Sequence, residues 1–514
     1  MPDEEDARRF DAVLLAGLLL VVAVAAAFRL PHLSGNLPRI VGPDEPTIMD
    51  RALRVLHGHV ALSHYDWPPA SMELLGGVMR AARAVSGSLL QPHGGVYAFG
   101  RVVFVAVSLA AVLLTGLVAA ELADDWRDRR MIAWAAAVLV ALSFVSVRTS
   151  RLVHPDHLQL AFMLGALLAT FAYDRSRRWP WLAGAGALAG LAGATKYVGV
   201  LIVVAAIVSI LWPEPRRPRL RRAHHLGLLL ASMAVGFVAG APAVFAQPGQ
   251  MWHDLGKQFG HQATGHLGYD SRANGWWFHL HQSLPGNWGY GVTALAVVGT
   301  VWVFVRGTRP QRLTAAAVIP LFALVGTSRV RFPHYVLVVV PLLACLGMVA
   351  LVRLARRAGV AGGVVLAVAV GITLVPAVLD DARLVRAAGA IDTRLVAAAA
   401  VRRLDGPIRA EQYALPDGTD DFGTEPPIVE CECYVAISSY KEERYRREPR
   451  RYRRQVAVYD ALRAKGRVVA VIGPRRHLAY DWDLLPQWGL RRIPLTGAIG
   501  PVGPTITILD LRAH

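Results

Sequence analysis

The chain has 514 residues, 54% of them hydrophobic, a mean hydropathy of +0.38 and a formal charge of +18 from 55 Lys and Arg against 37 Asp and Glu. So apolar a composition, divided into runs near membrane-spanning length, excludes an ordinary soluble protein and predicts a polytopic α-helical membrane protein. The basic charge comes with no zinc-ribbon, helix-turn-helix or RNA-binding signature, which argues against nucleic acid as a partner.

Arg8 and Arg9 precede the first apolar run, Val13 to Phe28. Ala23, Ala25 and Ala27 imitate a cleavage site, but the acidic start (Asp3, Glu4, Glu5, Asp6) and the many later spans favour an uncleaved signal anchor. Pro43-Asp44-Glu45-Pro46 follows at the end of that span. One reading is a capped helix start, with Pro46 in the first turn and carboxylates near the bare N–H groups. The other is a catalytic pair at the membrane boundary, where a carboxylate takes a proton from an acceptor hydroxyl. Thr47 to Leu56 reads as a surface-lying helix, with Ile48, Ala52 and Leu56 on one face and Arg51 and Arg54 on another. Next comes the polar-aromatic cluster His64-Tyr65-Asp66-Trp67-Pro68-Pro69, suited to an interface or to carbohydrate.

Ten further apolar segments, near 102–120, 131–147, 157–173, 181–195, 197–212, 226–246, 290–305, 313–327, 335–352 and 359–379, bring the expected spans to eleven. Gly186 and Gly190 stand four apart and would let a neighbouring helix approach closely. Alternate connections carry the basic residues: Arg127, Arg129 and Arg130; Arg175, Arg177 and Arg178; Arg216, Arg217, Arg219, Arg221 and Arg222; Arg306, Arg309 and Arg312; Arg353, Arg356 and Arg357. The short loops opposite hold only Arg148, Arg151, Lys196, Arg329 and Arg331. This asymmetry predicts a cytoplasmic-membrane protein with its N-terminus in the cytoplasm and its C-terminus outside, and parity divides 181–212 into two short spans.

The expected organisation is a transmembrane domain over 1–380, with large outside loops at 31–100 and 247–289, and an extracytoplasmic α/β domain over 381–514. In the second loop His279 and His281 are a weak zinc signal, lacking a matching carboxylate or Cys set. The tail alternates strand-like runs (Tyr434 to Ile437, Val468 to Ile472, Thr505 to Leu509) with an Arg-rich helical stretch, Lys441 to Arg454, which reads as a solvated face or a contact for anionic lipid heads. Cys345 sits inside an apolar run, and Cys431 and Cys433 are two residues apart, a spacing poorly suited to bridging each other within a strand.

The short outside loops collect Arg148, Arg151, His154 and Asp156; Lys196 and Tyr197; Arg329, Arg331, His334 and Tyr335. Headgroup anchoring explains any single one, whereas together they suit an anionic pocket where a phosphate leaving group gathers charge.

Asp44-Glu45 after the first span, Asp66-Trp67-Pro68-Pro69, Arg101 at the head of the second span, Arg151 to Asp156, Gly193-Ala194-Thr195-Lys196-Tyr197, and Arg331 with Tyr335 resemble the GT-C membrane glycosyltransferases of the protein O-mannosyltransferase and aminoarabinose transferase group. The resemblance covers roughly residues 10–380. It implies an inverting transfer of one sugar from a polyprenyl-phosphate donor to an acceptor hydroxyl or phosphate at the outer face, on a glycan, lipid or protein. Asp44 would be the general base, with Glu45 orienting it or the sugar; Arg101, Lys196, Arg331 and Arg151 would bind the donor phosphate. Asp156, His64, Asp66 and Trp67 would contact sugar or acceptor, with no cofactor required and a divalent metal only weakly indicated. The chain lacks the β-trefoil insert of the eukaryotic mannosyltransferases, which weighs against a protein acceptor. A transporter or flippase of lipid-linked sugars is the alternative; it would be expected to carry inverted repeats, which the sequence lacks.

Overall fold

The computed structural model describes residues 11–59, 65–91, 94–213, 219–268, 274–423, 428–474 and 493–512. His64, Arg8, Arg9, Arg216 and Arg217 lie outside these residues. Helix α1 (Ala12–Arg29) starts where the Asp11 carboxylate accepts from the Leu14 N–H. Two amphipathic helices, α2 (Glu45–Leu56) and α3 (Ala70–Val85), pack on each other through Ile48, Met49, Ala52, Met72 and Leu75. The long α4 (Gly95–Glu121) follows, then α5 (Trp126–Ala141) and α6 (Phe144–Ser150), which form a pair bent by 60°.

Next stand α7 (Asp156–Ser176), α8 (Trp179–Thr195), α9 (Val203–Leu211) and α10 (Arg219–Gly240). Helix α8 and α10 come as close as the glycine spacing predicts: a Cβ at Gly190 would sit 2.0 Å from the Met233 carbonyl, and one at Gly236 2.0 Å from that of Ala187. The short α11 (Ala243–Ala246), α12 (Pro248–Thr264) and α13 (Gly275–Phe278) lead to α14 (Pro285–Arg306) and α15 (Arg309–Thr327). Helix α16 (Val340–Ala388) is broken at Gly359, whose φ of 68° only glycine adopts readily, so the two apolar segments on either side are separate arms.

Among the described residues five helices are long and apolar enough to cross a membrane alone: α1, α4, α10, α14 and α16; α5 and α6 qualify together. The chain is therefore a multi-pass membrane protein. Its basic connections meet at one end of the helices. Arg130 pairs with Asp11 at 2.7 Å, Arg309 with Asp174 at 2.8 Å, Arg356 with Asp128 at 2.7 Å, and Arg175 with Glu121.

Beyond α17 (Thr393–Val401) a small α/β unit forms around a four-stranded sheet in the order β1 (Ile408–Ala410), β2 (Tyr434–Ser438), β4 (Ile506–Asp510), β3 (Arg467–Ile472). Strand β1 runs parallel to β2, and β4 runs antiparallel to both β2 and β3, with Val435 opposite Leu509. The central strands β2 and β4 are wholly buried, as their apolar runs require. Helices α18 (Ser439–Arg447) and α19 (Arg453–Lys465) complete the unit.

Cys431 and Cys433 correct an expectation, because they are joined in a disulfide. They lie in bent backbone ahead of β2, where their Cα atoms are 5.3 Å apart, within bridging range. Inside a strand the same two positions would be roughly 6.6 Å apart.

Glu411, next to β1, is fully buried, and its carboxylate accepts from the Ser438 N–H at 2.9 Å and from the Tyr459 hydroxyl. Burial outweighs these hydrogen bonds and pushes Glu411 up to about 8. A carboxyl whose folded pKa is raised favours the folded state fully below its unfolded value, and that contribution is lost as pH rises toward 8. The expected outcome is that stability of the C-terminal unit falls by up to about 1.4 kcal/mol per pH unit between pH 5 and 8. Glu411→Gln should flatten that slope, as read by thermal unfolding of the full chain at each pH.

Candidate active site

Pro46 sits in the first turn of α2 and fixes where that helix begins. The two carboxylates at this start face opposite ways. Glu45 turns inward, is 1% exposed, and accepts from Arg101 Nε at 2.8 Å and Nη2 at 2.6 Å, from the Gly42 N–H at 2.6 Å and from the Val153 N–H at 2.9 Å. Arg101, on α4, also donates to the Leu33 carbonyl at 2.7 Å. The pair is a buried, bidentate salt bridge that ties together the 33–45 segment, α4 and the loop before α7.

Asp44 faces out. Asp44 is the N-cap residue of α2, but its side chain is 49% exposed and makes no capping hydrogen bond to the helix N–H groups. Its Oδ2 stands 3.7 Å from His154 Nε2. His154 Nδ1 lies 3.2 Å from Asp156 Oδ2, and Asp156 Oδ1 accepts from Lys196 Nζ at 2.6 Å. The result is a row of alternating charge, Asp44, His154, Asp156, Lys196. Burial would lower the His154 pKa, but ionised Asp156 and Asp44 raise it to about 9, so the ring is cationic at neutral pH. Burial would raise Asp156, yet Lys196 and His154 hold it well below the usual carboxylate range.

A cavity with about 1370 Å³ of open space, part of it continuous with solvent, lies against this row. Asp44, Glu45, Arg101, Arg148, Arg151 and His154 form one wall. Arg151 spends its guanidinium on the last carbonyls of α1 and just beyond, donating to Phe28 at 2.9 Å, Arg29 at 3.1 Å and Pro31 at 2.6 Å. Lys196 and Asp156 stand behind His154, and the ammonium is 5.3 Å from the Tyr335 ring centre. Arg331 is buried over the Phe278 ring at 5.5 Å, away from the cavity wall. Asp66 pairs with Arg51 at 2.8 Å, and Trp67 meets the His154 ring edge-on at 6.3 Å. The sequence reading places Arg148 and His334 only in a shared pocket, with no role of their own; both line the cavity. The signal for them was the basic and His-rich character of the short outside loops.

His154, Asp156 and His334 have ligand atoms within 4.8 Å of one another, and two imidazoles with a carboxylate suit a divalent ion. The Lys196 ammonium already occupies one oxygen of that carboxylate, so a metal would bind against a resident positive charge. His279, by contrast, bonds Ser283 at 2.9 Å, and His281 stacks on Trp277, so the pair does not form a metal site.

Breaking one side of the Glu45–Arg101 pair leaves the other charge buried alone. The expected cost for Glu45→Gln or Arg101→Ala is about 3–5 kcal/mol. In Glu45→Gln/Arg101→Met much of it should return, and thermal unfolding of the four proteins in one double-mutant cycle measures the coupling.

Residues 95–240 match the family model of dolichyl-phosphate-mannose-protein mannosyltransferases. No curated protein matches the chain. Among solved structures, ArnT from Cupriavidus metallidurans bound to undecaprenyl phosphate is 20% identical, with 76% of this chain and 72% of that one covered and a TM-score of 0.48. The S. cerevisiae protein O-mannosyltransferase complex bound to the sugar donor is 16% identical over 48% of this chain and 35% of that one, with a TM-score of 0.39. Arabinosyltransferase EmbB from Mycobacterium smegmatis is 16% identical over 74% and 34%, with a TM-score of 0.46. The family match over α4 to α10 and the Asp44-Glu45 motif ahead of it agree: the chain is similar to the membrane glycosyltransferases of the protein O-mannosyltransferase family.

Proposed function

We propose that the protein transfers a single sugar from a polyprenyl-phosphate carrier to an acceptor hydroxyl, with inversion, at the outer face of the cytoplasmic membrane. The observation that carries this is the division of the carboxylate pair: Glu45 is locked by Arg101, and Asp44 is left half-exposed in the cavity. The acceptor oxygen attacks the anomeric carbon as its proton passes to Asp44. The bond from that carbon to the phosphate oxygen breaks, and the phosphate leaves with the electron pair. Asp44 takes up that proton as the acceptor oxygen bonds to carbon, with His154 Nε2 3.7 Å from its Oδ2.

A retaining route needs a second free carboxylate as nucleophile. Asp392, another carboxylate on the cavity wall, is gripped by Arg394 with both bonds at 2.8 Å, and Glu45 is fully engaged, which favours inversion. Arg148, on the same cavity wall as Asp44, takes the carrier phosphate, with Lys196 and His154 standing close behind. The Lys196 ammonium on Asp156 supports a reaction that needs no metal. The outer-face assignment is supported by the basic connections 127–130, 306–312 and 353–357, which meet at one end of the helices as cytoplasmic loops do.

With the purified chain and a panel of polyprenyl-phosphate sugars, Asp44→Asn should lower transfer at least about a hundredfold while expression and unfolding temperature hold. Product mass spectrometry reads it, and undiminished transfer refutes the base assignment. Wild-type transfer should persist in excess EDTA, and Arg148→Ala should raise the donor KM more than the acceptor KM.

A further inference from the structure

The wall of the cavity that faces the membrane helices is made by the C-terminal unit: Tyr413, Tyr440, Asp392, Arg394 and the Val502–Pro504 turn line the same space as Asp44. We propose that Tyr413 and Tyr440 form the acceptor subsite and that the acceptor they hold is a carbohydrate. This rests on the transfer reading above and names the acceptor class for it.

The two rings meet edge to face with centroids 4.7 Å apart. The Arg444 guanidinium fixes Tyr440, lying 4.2 Å over its ring and donating to its hydroxyl at 2.5 Å. Tyr413 has a φ of 69°, a left-handed backbone that a bulky residue rarely adopts. It is held there by a compact loop: Gln412 N–H donates to Asp420 at 2.8 Å, Ala414 N–H to Glu411 at 2.9 Å, and Glu411 is itself anchored to Ser438. Packing the Tyr413 ring against the sheet would need no such backbone; strain kept at a cavity wall points to a ligand.

A saccharide fits this wall for two reasons. Sugar C–H faces pack on aromatic rings, and the Asp392–Arg394 pair sets polar groups beside them for its hydroxyls. The unit is also tied down close to the cavity, with Asn36 Nδ2 donating to the Ala390 carbonyl at 2.8 Å and the Asp392 N–H to Asn36 Oδ1 at 3.1 Å. A cavity roofed so closely suits a compact ring better than an extended peptide.

The test is saturation-transfer NMR on the full chain in lipid nanodiscs, with methyl glycosides of hexoses and pentoses as probes beside a Ser/Thr-containing hexapeptide. Tyr413→Asn suits the left-handed backbone and removes the ring, so it should fold and weaken glycoside binding about tenfold. Tyr440→Phe should weaken it less. The proposal is overturned if Tyr413→Asn binds them unchanged, if only the peptide binds, or if neither probe binds the wild type. Tyrosine-dependent glycoside binding by a wild type that transfers no sugar would sink the transfer reading and leave the subsite standing.

Discussion

One buried ion pair organises this protein's reactive end. Glu45 and Arg101 are too deep to be stable unless every charge is met, and the structure meets them with two hydrogen bonds between them, two backbone N–H groups on Glu45 and one carbonyl on Arg101. Those satisfying groups come from three separate pieces of chain: the segment leaving α1, α4, and the loop before α7. Meeting the charges therefore fixes those pieces relative to one another. Asp44, the residue before Glu45, shares the cavity wall with it, and the ion pair on Glu45 fixes where Asp44 stands.

The same constraint reaches the charged row behind Asp44. Val153 N–H on Glu45 and Arg151 on the end of α1 hold both sides of the loop that carries His154. His154 is then set between two carboxylates, and Lys196 closes the row. Each ion in it is stabilised by the next, so charge sits next to the bilayer without being left unpaired. The row is neutral as a whole, and its two cations, His154 and Lys196, are already fixed in place, so they need not reorganise when negative charge grows beside them.

Much of this was legible in the sequence, and what was not has a common cause. Apolar length showed a multi-pass helical protein, though eleven spans were expected and five helices, or six with the bent pair, are long and apolar enough among the described residues, and the uneven spread of Arg showed which connections lie together. The Asp-Glu pair stood out by its place after the first span. The sequence could not say which carboxylate was buried, since that depends on Arg101, 56 residues further on. It assigned Arg101, Arg151, Lys196 and Arg331 alike to a phosphate, because four cations near a bilayer surface look alike until burial forces each to find a partner. In the structure Arg101 serves Glu45, Arg151 serves α1 and Lys196 serves Asp156, while Arg148, placed by the sequence only in a shared pocket, lines the cavity. Cys431 and Cys433 were misjudged for a related reason: a strand was assumed where the backbone bends.

The position of the C-terminal unit follows from the same ion pair. Arg101 holds Leu33; three residues on, Asn36 holds Ala390 and Asp392 by both ends of its amide. Asp392 starts α17, and its neighbour Thr393 donates its hydroxyl to the Pro504 carbonyl at 2.7 Å, in the turn that lines the cavity. The distance between Asp44 on one wall and the tyrosines on the other is thus set through a short series of hydrogen bonds that begins at Arg101. A base and an acceptor platform carried by different parts of the chain can act on one molecule only if their separation is fixed, because an error of about 1 Å already costs much of the advantage of orientation. A membrane helix bundle and a soluble sheet would not by themselves share such a reference. The 33–45 segment supplies it, since it touches the ion pair at one end and the C-terminal unit in its middle.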